Sequence, residues 1–150
     1  MTSPAHVLKW IKHLIFIMLV LWCASSFADE SKNTCPDEAQ LFWMKFRSAV
    51  LNNDMLEIVA ATRFPVKISQ TLDDGEVTYI TEKFTEKFNN LLKADPGLYQ
   101  SSTTMASLIN GTQSILNGFC NSGGNQLYVG AWVFDLTPEG WRLVQVFVDE

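Results

Sequence analysis

The sequence predicts an α+β domain behind a cleavable leader. Three observations carry this reading. The N-terminal residues run from basic to apolar to small. Two later segments repeat apolar residues at i, i+3 and i+4. The C-terminal stretch alternates around a Thr-Pro-Glu-Gly turn. At 150 residues the chain has room for one domain. Its composition, 47% hydrophobic and 18% charged, is that of a packed globule and excludes a disordered chain.

Lys9 and Lys12 precede the apolar run Leu14 to Cys23, and Ala24-Ser25-Ser26-Phe27-Ala28 follows. A basic start, a short apolar stretch and small residues at Ser26 and Ala28 make a secretory signal peptide over 1–28, with cleavage after Ala28. The run is about half the roughly 20 apolar residues of a spanning helix, so a retained anchor is the poorer reading. A lipidated Cys23 is poorer still, because bulky Trp22 sits before it. The domain then covers 29–150, in a secreted or periplasmic protein with no membrane contact after cleavage. It keeps nine basic and sixteen acidic groups, a net charge of −7. That balance argues against nucleic acid, which needs a basic patch.

Both histidines, His6 and His13, leave with the leader. Their loss excludes Ser-His-Asp and Cys-His nucleophiles and histidine-built zinc sites. No phosphate loop or dinucleotide fingerprint is present, so the sequence implies no cofactor and no metal. Asp73-Asp74-Gly75-Glu76 lacks the spaced ligands of a calcium loop and reads as a turn. Two cysteines remain, Cys35 and Cys120. In an oxidising compartment an even pair reads as a disulfide.

The elements follow in order. Thr34 is expected to cap a first helix reaching Leu51, with Pro36, Asp37 and Glu38 in its first turn. Ala39, Phe42, Trp43, Phe46 and Val50 make its inner face. Asn52-Asn53-Asp54 breaks the helix, and Asp54 caps a short second one carrying Leu56, Val59 and Ala60. Phe64-Pro65 leads into a hairpin, Val66–Ser69 with Glu76–Ile80. Thr81 is expected to cap a third helix with Phe84, Phe88, Leu91 and Leu92 inward, ended by Asp95-Pro96-Gly97. A short helix or strand is expected near 103–109 and a strand near 113–120. Asn110-Gly111-Thr112 matches a glycosylation acceptor in a eukaryotic secretory route.

Gln126 to Leu136 and Trp141 to Val148 read as two long strands around Thr137–Gly140. With Leu136 opposite Trp141, one face would hold Tyr128, Gly130, Trp132, Phe134, Leu136, Trp141, Leu143, Gln145 and Phe147. The other would hold Val129, Ala131, Val133, Asp135, Arg142, Val144, Val146 and Val148. Both faces would then be apolar, which implies helices on one and a cavity or partner on the other.

The order helix, helix, hairpin, helix, irregular segment, long hairpin resembles the nuclear-transport-factor-2-like superfamily. The features that carry the resemblance are FWMKF in the first helix, the Asn52-Asn53-Asp54 break, the Phe64-Pro65 entry and the closing GAWVFDL and GWRLVQVFV strands. It covers most of 36–148. It implies a cone-like, curved antiparallel sheet wrapped around the N-terminal helix, and a homodimer through the sheet. It also implies either a pocket enzyme (an isomerase or dehydratase type) or a non-catalytic binding domain.

Asp135 is the candidate catalytic residue, a pocket base if desolvated. The simpler reading pairs it with Arg142 across the hairpin, which lowers its pKa and removes it as a base. Tyr79, Tyr128, Trp132 and Phe134 could line an apolar ligand pocket, against the simpler reading of core packing. The favoured function is therefore an exported, non-enzymatic domain. It would bind a small apolar ligand or a protein partner through its C-terminal sheet. The alternatives are a histidine-free acid-base enzyme using Asp135, and an exported inhibitor or immunity-type protein whose acidic surface suits a cationic target.

Overall fold

The computed structural model describes residues 34–70, 75–97, 104–115 and 118–148. The expected leader and cleavage site lie outside them, as do Asp73 and Asp74. Helix α1 spans Asp37–Leu51 and buries Ala39, Trp43, Phe46, Ala49 and Val50. Its N-cap is Pro36, not Thr34. The Pro36 carbonyl accepts from Ala39 N at 2.9 Å, while Asp37 and Glu38 sit at the positive end.

Asn53 then takes a left-handed φ of 55°, which asparagine tolerates. Asp54 Oδ1 accepts from Glu57 N and caps α2, Met55–Ala60. The inward residue of α2 is Ile58, and Leu56 stands in solvent, contrary to expectation. A helix of six residues is too short for its periodicity to reveal a face.

Strand β1 (Thr62–Gln70) pairs antiparallel with β2 (Glu76–Tyr79). Helix α3, Thr81–Lys93, buries Phe84, Phe88 and Leu91. Its N-cap is Ile80, with no side-chain cap. Thr81 is already helical, and its carbonyl accepts from Thr85 Oγ1. Helix α4 is Met105–Gly111, capped by Thr104 Oγ1.

Among the described residues of 113–120, the expected strand is reduced to a single bridge between Cys120 and Leu127. The segment before it bonds to α1 instead. Trp43 Nε1 donates to Thr112 O (2.9 Å), Arg47 Nε to Ile109 O (3.0 Å), and Ile115 N to Gln40 Oε1 (2.8 Å). Of these only Ile115 N is a group the strand would have paired, while Ile109 O and Thr112 O lie at the C-terminal end of α4.

The last strands are β3 (Gln126–Val129), β4 (Trp132–Thr137) and β5 (Gly140–Val148). The five strands form one open sheet in the order β2-β1-β5-β4-β3. The sheet is mixed, not antiparallel throughout, because β1 and β5 run parallel. The two strands are far apart in the chain and meet through a long crossover, the connection that parallel pairing requires. Their register is irregular between Thr62 and Lys67, a stretch containing Pro65, which has no N–H for the ladder.

The expected strand 126–136 is two strands. The chain reverses at Gly130-Ala131, with Val129 opposite Trp132. Gly130 has φ 56° and Ala131 does not share a positive φ, the signs of a type II′ hairpin turn. A Cβ at Gly130 would run into Leu108 Cδ2 and stand 2.9 Å from Met105 Sδ, so the hairpin touches α4. Across the next turn Leu136 does face Trp141 and Asp135 does face Arg142. A bulge follows. Val133 pairs with Gln145 and Trp132 with Val146, which leaves Val144 as the extra residue. Beyond it every side chain changes face.

One face of the sheet meets the helices. Phe134 packs against Phe42, Trp43 and Phe46, with its ring centroid 5.0 Å from that of Phe46. Trp132 lies between Phe46 and Phe88, and Phe42 stacks on Trp141. Leu127, Val129, Leu143 and Val146 complete this face and are fully buried. A Cys35–Cys120 disulfide, with Cα atoms 5.2 Å apart, ties the residue before α1 to the segment before β3. Among the described residues no helix is long and apolar enough to cross a membrane.

Candidate functional site: the helix-free face of the sheet

Alternation from the core positions puts a second set of side chains on the opposite face. One row crosses all five strands: Tyr128, Val133, Gln145, Lys67 and Thr78, each the register partner of the next. A second row sets Gln126, Asp135 and Arg142 side by side, and a third sets Phe147, Ser69 and Glu76. Tyr128 and Phe147 are the exposed aromatics here, at 42% and 40%. Val133, between Tyr128 and Gln145, is buried although it points away from the core.

Polar contacts hold these side chains in place. Tyr128 Oη donates to Gln126 Oε1 (2.6 Å), Gln145 Nε2 to Ser69 Oγ (2.8 Å), and Lys67 pairs with Glu76 (3.2 Å). This face is a mixed aromatic and amide surface. Val129 and Val146, which the sequence groups with Asp135, lie in the core. Gln145 and Phe147, which it groups with Trp132 and Phe134, lie on the face of Asp135.

The four residues expected to line a pocket do not converge. Trp132 and Phe134 have no exposure and sit among the rings of α1 and α3. Tyr79 is half-buried on edge strand β2, opposite Val66 and packed on the core. Tyr128 is on the other face. Among the described residues the N–H groups of Trp132 and Trp141 are buried without an acceptor, and Asp135 Oδ1 is buried without a donor.

Asp135 stands opposite Arg142 in the register, but no ion pair joins them. Arg142 Nη1 donates to Trp141 O at 2.8 Å instead. Nearby, Glu139 is held below the usual carboxylate range, first by the Thr137 hydroxyl and then by its own backbone N–H. That bond is part of the Pro138-Glu139 turn, which Gly140 closes at φ 99°.

Among the described residues two grooves lie elsewhere, and neither has Asp135 or the four aromatics in its wall. One, of about 180 Å³, is lined by Phe42, Lys45, Phe46, Ala49, Glu57 and Arg142 among others. The other, of about 420 Å³, lies between α1 and α2. Among the described residues no group of three His, Cys, Asp or Glu side chains could hold a metal ion. Asn110 is exposed at the end of α4, with its carbonyl taking Arg47 Nη2 at 2.6 Å.

No family model matches the chain, and no curated protein or solved structure is significantly similar to it.

Proposed function

We propose that this chain is an exported, non-enzymatic binding domain that takes a protein partner on the sheet face opposite the described helices. The observation that carries the reading is the pair of exposed rings, Tyr128 and Phe147, set around Val133 and Gln145 on strands whose other face is core. A rigid sheet presenting aromatics among hydrogen-bonding amides suits an interface, where tyrosine and phenylalanine are enriched. Among the described residues the two grooves are lined by other elements and not by this face, which favours a protein over a small apolar ligand. The disulfide supports export, since such bonds persist in oxidising compartments.

The nuclear-transport-factor-2-like assignment belongs to the same proposal. It is supported by the aromatic first helix lying on the core face of a five-stranded sheet. A second copy of the chain is one form the partner could take. A second reading, the acid-base enzyme, rests on Asp135 Oδ1, a buried carboxylate oxygen with no donor.

A photo-crosslinking residue placed at Tyr128 or Phe147, and at exposed Thr85 on α3 as the control, tests the proposal in the native compartment. The expected result is a discrete adduct from the sheet positions and none from Thr85. Sedimentation of the purified protein separates a homodimer from another partner. A monomer that gives no adduct from either sheet position overturns the reading. Turnover that vanishes in Asp135→Asn with the fold intact promotes the enzyme.

A further inference from the structure

Helix α1 carries a second apolar row, opposite its core face. Leu41, Met44 and Leu51 fall on one side of the helix by their spacing, with Ser48 between them. They are 59%, 54% and 45% exposed, and Leu56 at the start of α2 is 80% exposed. One exposed leucine needs no explanation, but a row of them does. These side chains contribute nothing to the core, which α1 reaches through Trp43, Phe46 and Val50 on its opposite side. The 420 Å³ groove lies beside the row, walled by Met44, Ser48, Ala49 and Asn52 from α1 and its end, and by Asp54 and Glu57 from α2.

The rim has a sign. Asp37 and Glu38 stand at one end and Asp54 and Glu57 at the other, with Lys45 as the cation in the groove wall. Among the described residues none of the four carboxylates is in an ion pair. Helix capping accounts for acids at these helix starts. It does not account for four large apolar side chains in solvent beside them.

We propose that the outer faces of α1 and α2 form a docking surface for a basic amphipathic helix, separate from the sheet face. Its apolar residues would lie on Leu41, Met44, Leu51 and Leu56, and its lysines or arginines would meet the acidic ends.

The probe is a fluorescent helical peptide with leucines on one face and lysines on the other. A scramble of the same composition, with no apolar face, is the control. Anisotropy is read on the purified protein. The amphipathic peptide should bind at least about tenfold more tightly than the scramble, a margin that charge alone does not supply. Met44→Gln with Leu56→Gln should remove that margin. Both sites are exposed, so an unchanged thermal melt shows that the fold is kept. Glu57→Gln should weaken binding less and flatten its salt dependence. Equal binding of peptide and scramble overturns the proposal. So does binding that survives Met44→Gln/Leu56→Gln, or is lost instead in Tyr128→Ser/Phe147→Ser, since the peptide is then elsewhere. Self-association that Met44→Gln/Leu56→Gln abolishes makes the occupant a second copy and overturns it too.

Discussion

Asp135 and Arg142 are direct neighbours on β4 and β5, and the arginine turns away to the Trp141 carbonyl. The carboxylate keeps one oxygen buried and unpaired. Removing its charge therefore breaks no ion pair. Asp135→Asn should leave stability within about 0.5 kcal/mol of the parent, the range of substitutions that break no special feature. Any change should be toward stabilisation. Urea midpoints of the two proteins decide it. A clear loss of stability in Asp135→Asn, matched by the same loss in Arg142→Gln, would mean that the two side chains do pair in solution.

The same two strands show where a sequence stops being legible. From Phe134 to Leu143 the expected register holds, because a tight turn fixes it and alternation carries it outward. It fails at Val144, where nothing in Leu143-Val144-Gln145-Val146 marks an extra residue. A bulge made of β-branched and amide side chains reads as plain strand. It fails again at Gly130, where a glycine in an apolar run hides a full reversal of the chain. The amphipathic faces of α1 and α3 were readable because each holds several turns of periodic apolar residues. The outer row Leu41, Met44 and Leu51 shares the spacing of a helix face. It passes unnoticed because α1 is apolar on both sides. Tyr128 shares a face with Trp132 only in a strand with no turn between them, so the reversal at Gly130 separates the two.

Gly130 carries a conformational demand and a steric one. Its φ is 56°, and a Cβ there would collide with Leu108 and crowd Met105. Gly130→Ala should therefore cost about 2 kcal/mol or more, combining left-handed strain with overpacking. A calorimetric melt should show the loss. Leu108→Ala in the same chain should recover part of it, because the collision is with that side chain. No recovery would place the cost in backbone strain and the contact with Met105.

Reduction of the disulfide should destabilise without unfolding at once. The bond joins residues 85 apart in sequence. On chain-entropy grounds it contributes about 4 to 5 kcal/mol, an upper figure. The core lies mostly away from it, among α1, α3 and the sheet. Cys35→Ala/Cys120→Ala should therefore fold and melt well below the parent. Its hydrogen exchange should rise most at Tyr128 N, which bonds to Phe119 O, and at Asn121 N, which bonds to Gln126 O. Uniform exchange across the domain would show that the link stabilises the whole fold and not this corner.

Val144 and Val146 separate the bulged register from the unbroken one. In an unbroken strand both point away from the core, and lysine at either position is tolerated. With the bulge, Val146 faces Trp132 and Ile68 and has no exposure, while Val144 is only half-buried. A lysine at 146 would bring an unpaired ammonium among apolar side chains, at a cost of several kcal/mol. That is a large share of the roughly 5–15 kcal/mol that holds a domain of this size together. At 144 the ammonium can reach water along its own stem, and the cost should stay near 1 kcal/mol. Val146→Lys should thus be unfolded or nearly so by near-ultraviolet circular dichroism, while Val144→Lys keeps the parent spectrum. Similar urea midpoints for the two variants would remove the bulge and return Val146 to the outer face. Gln145 and Phe147 would then move off the surface proposed for the partner.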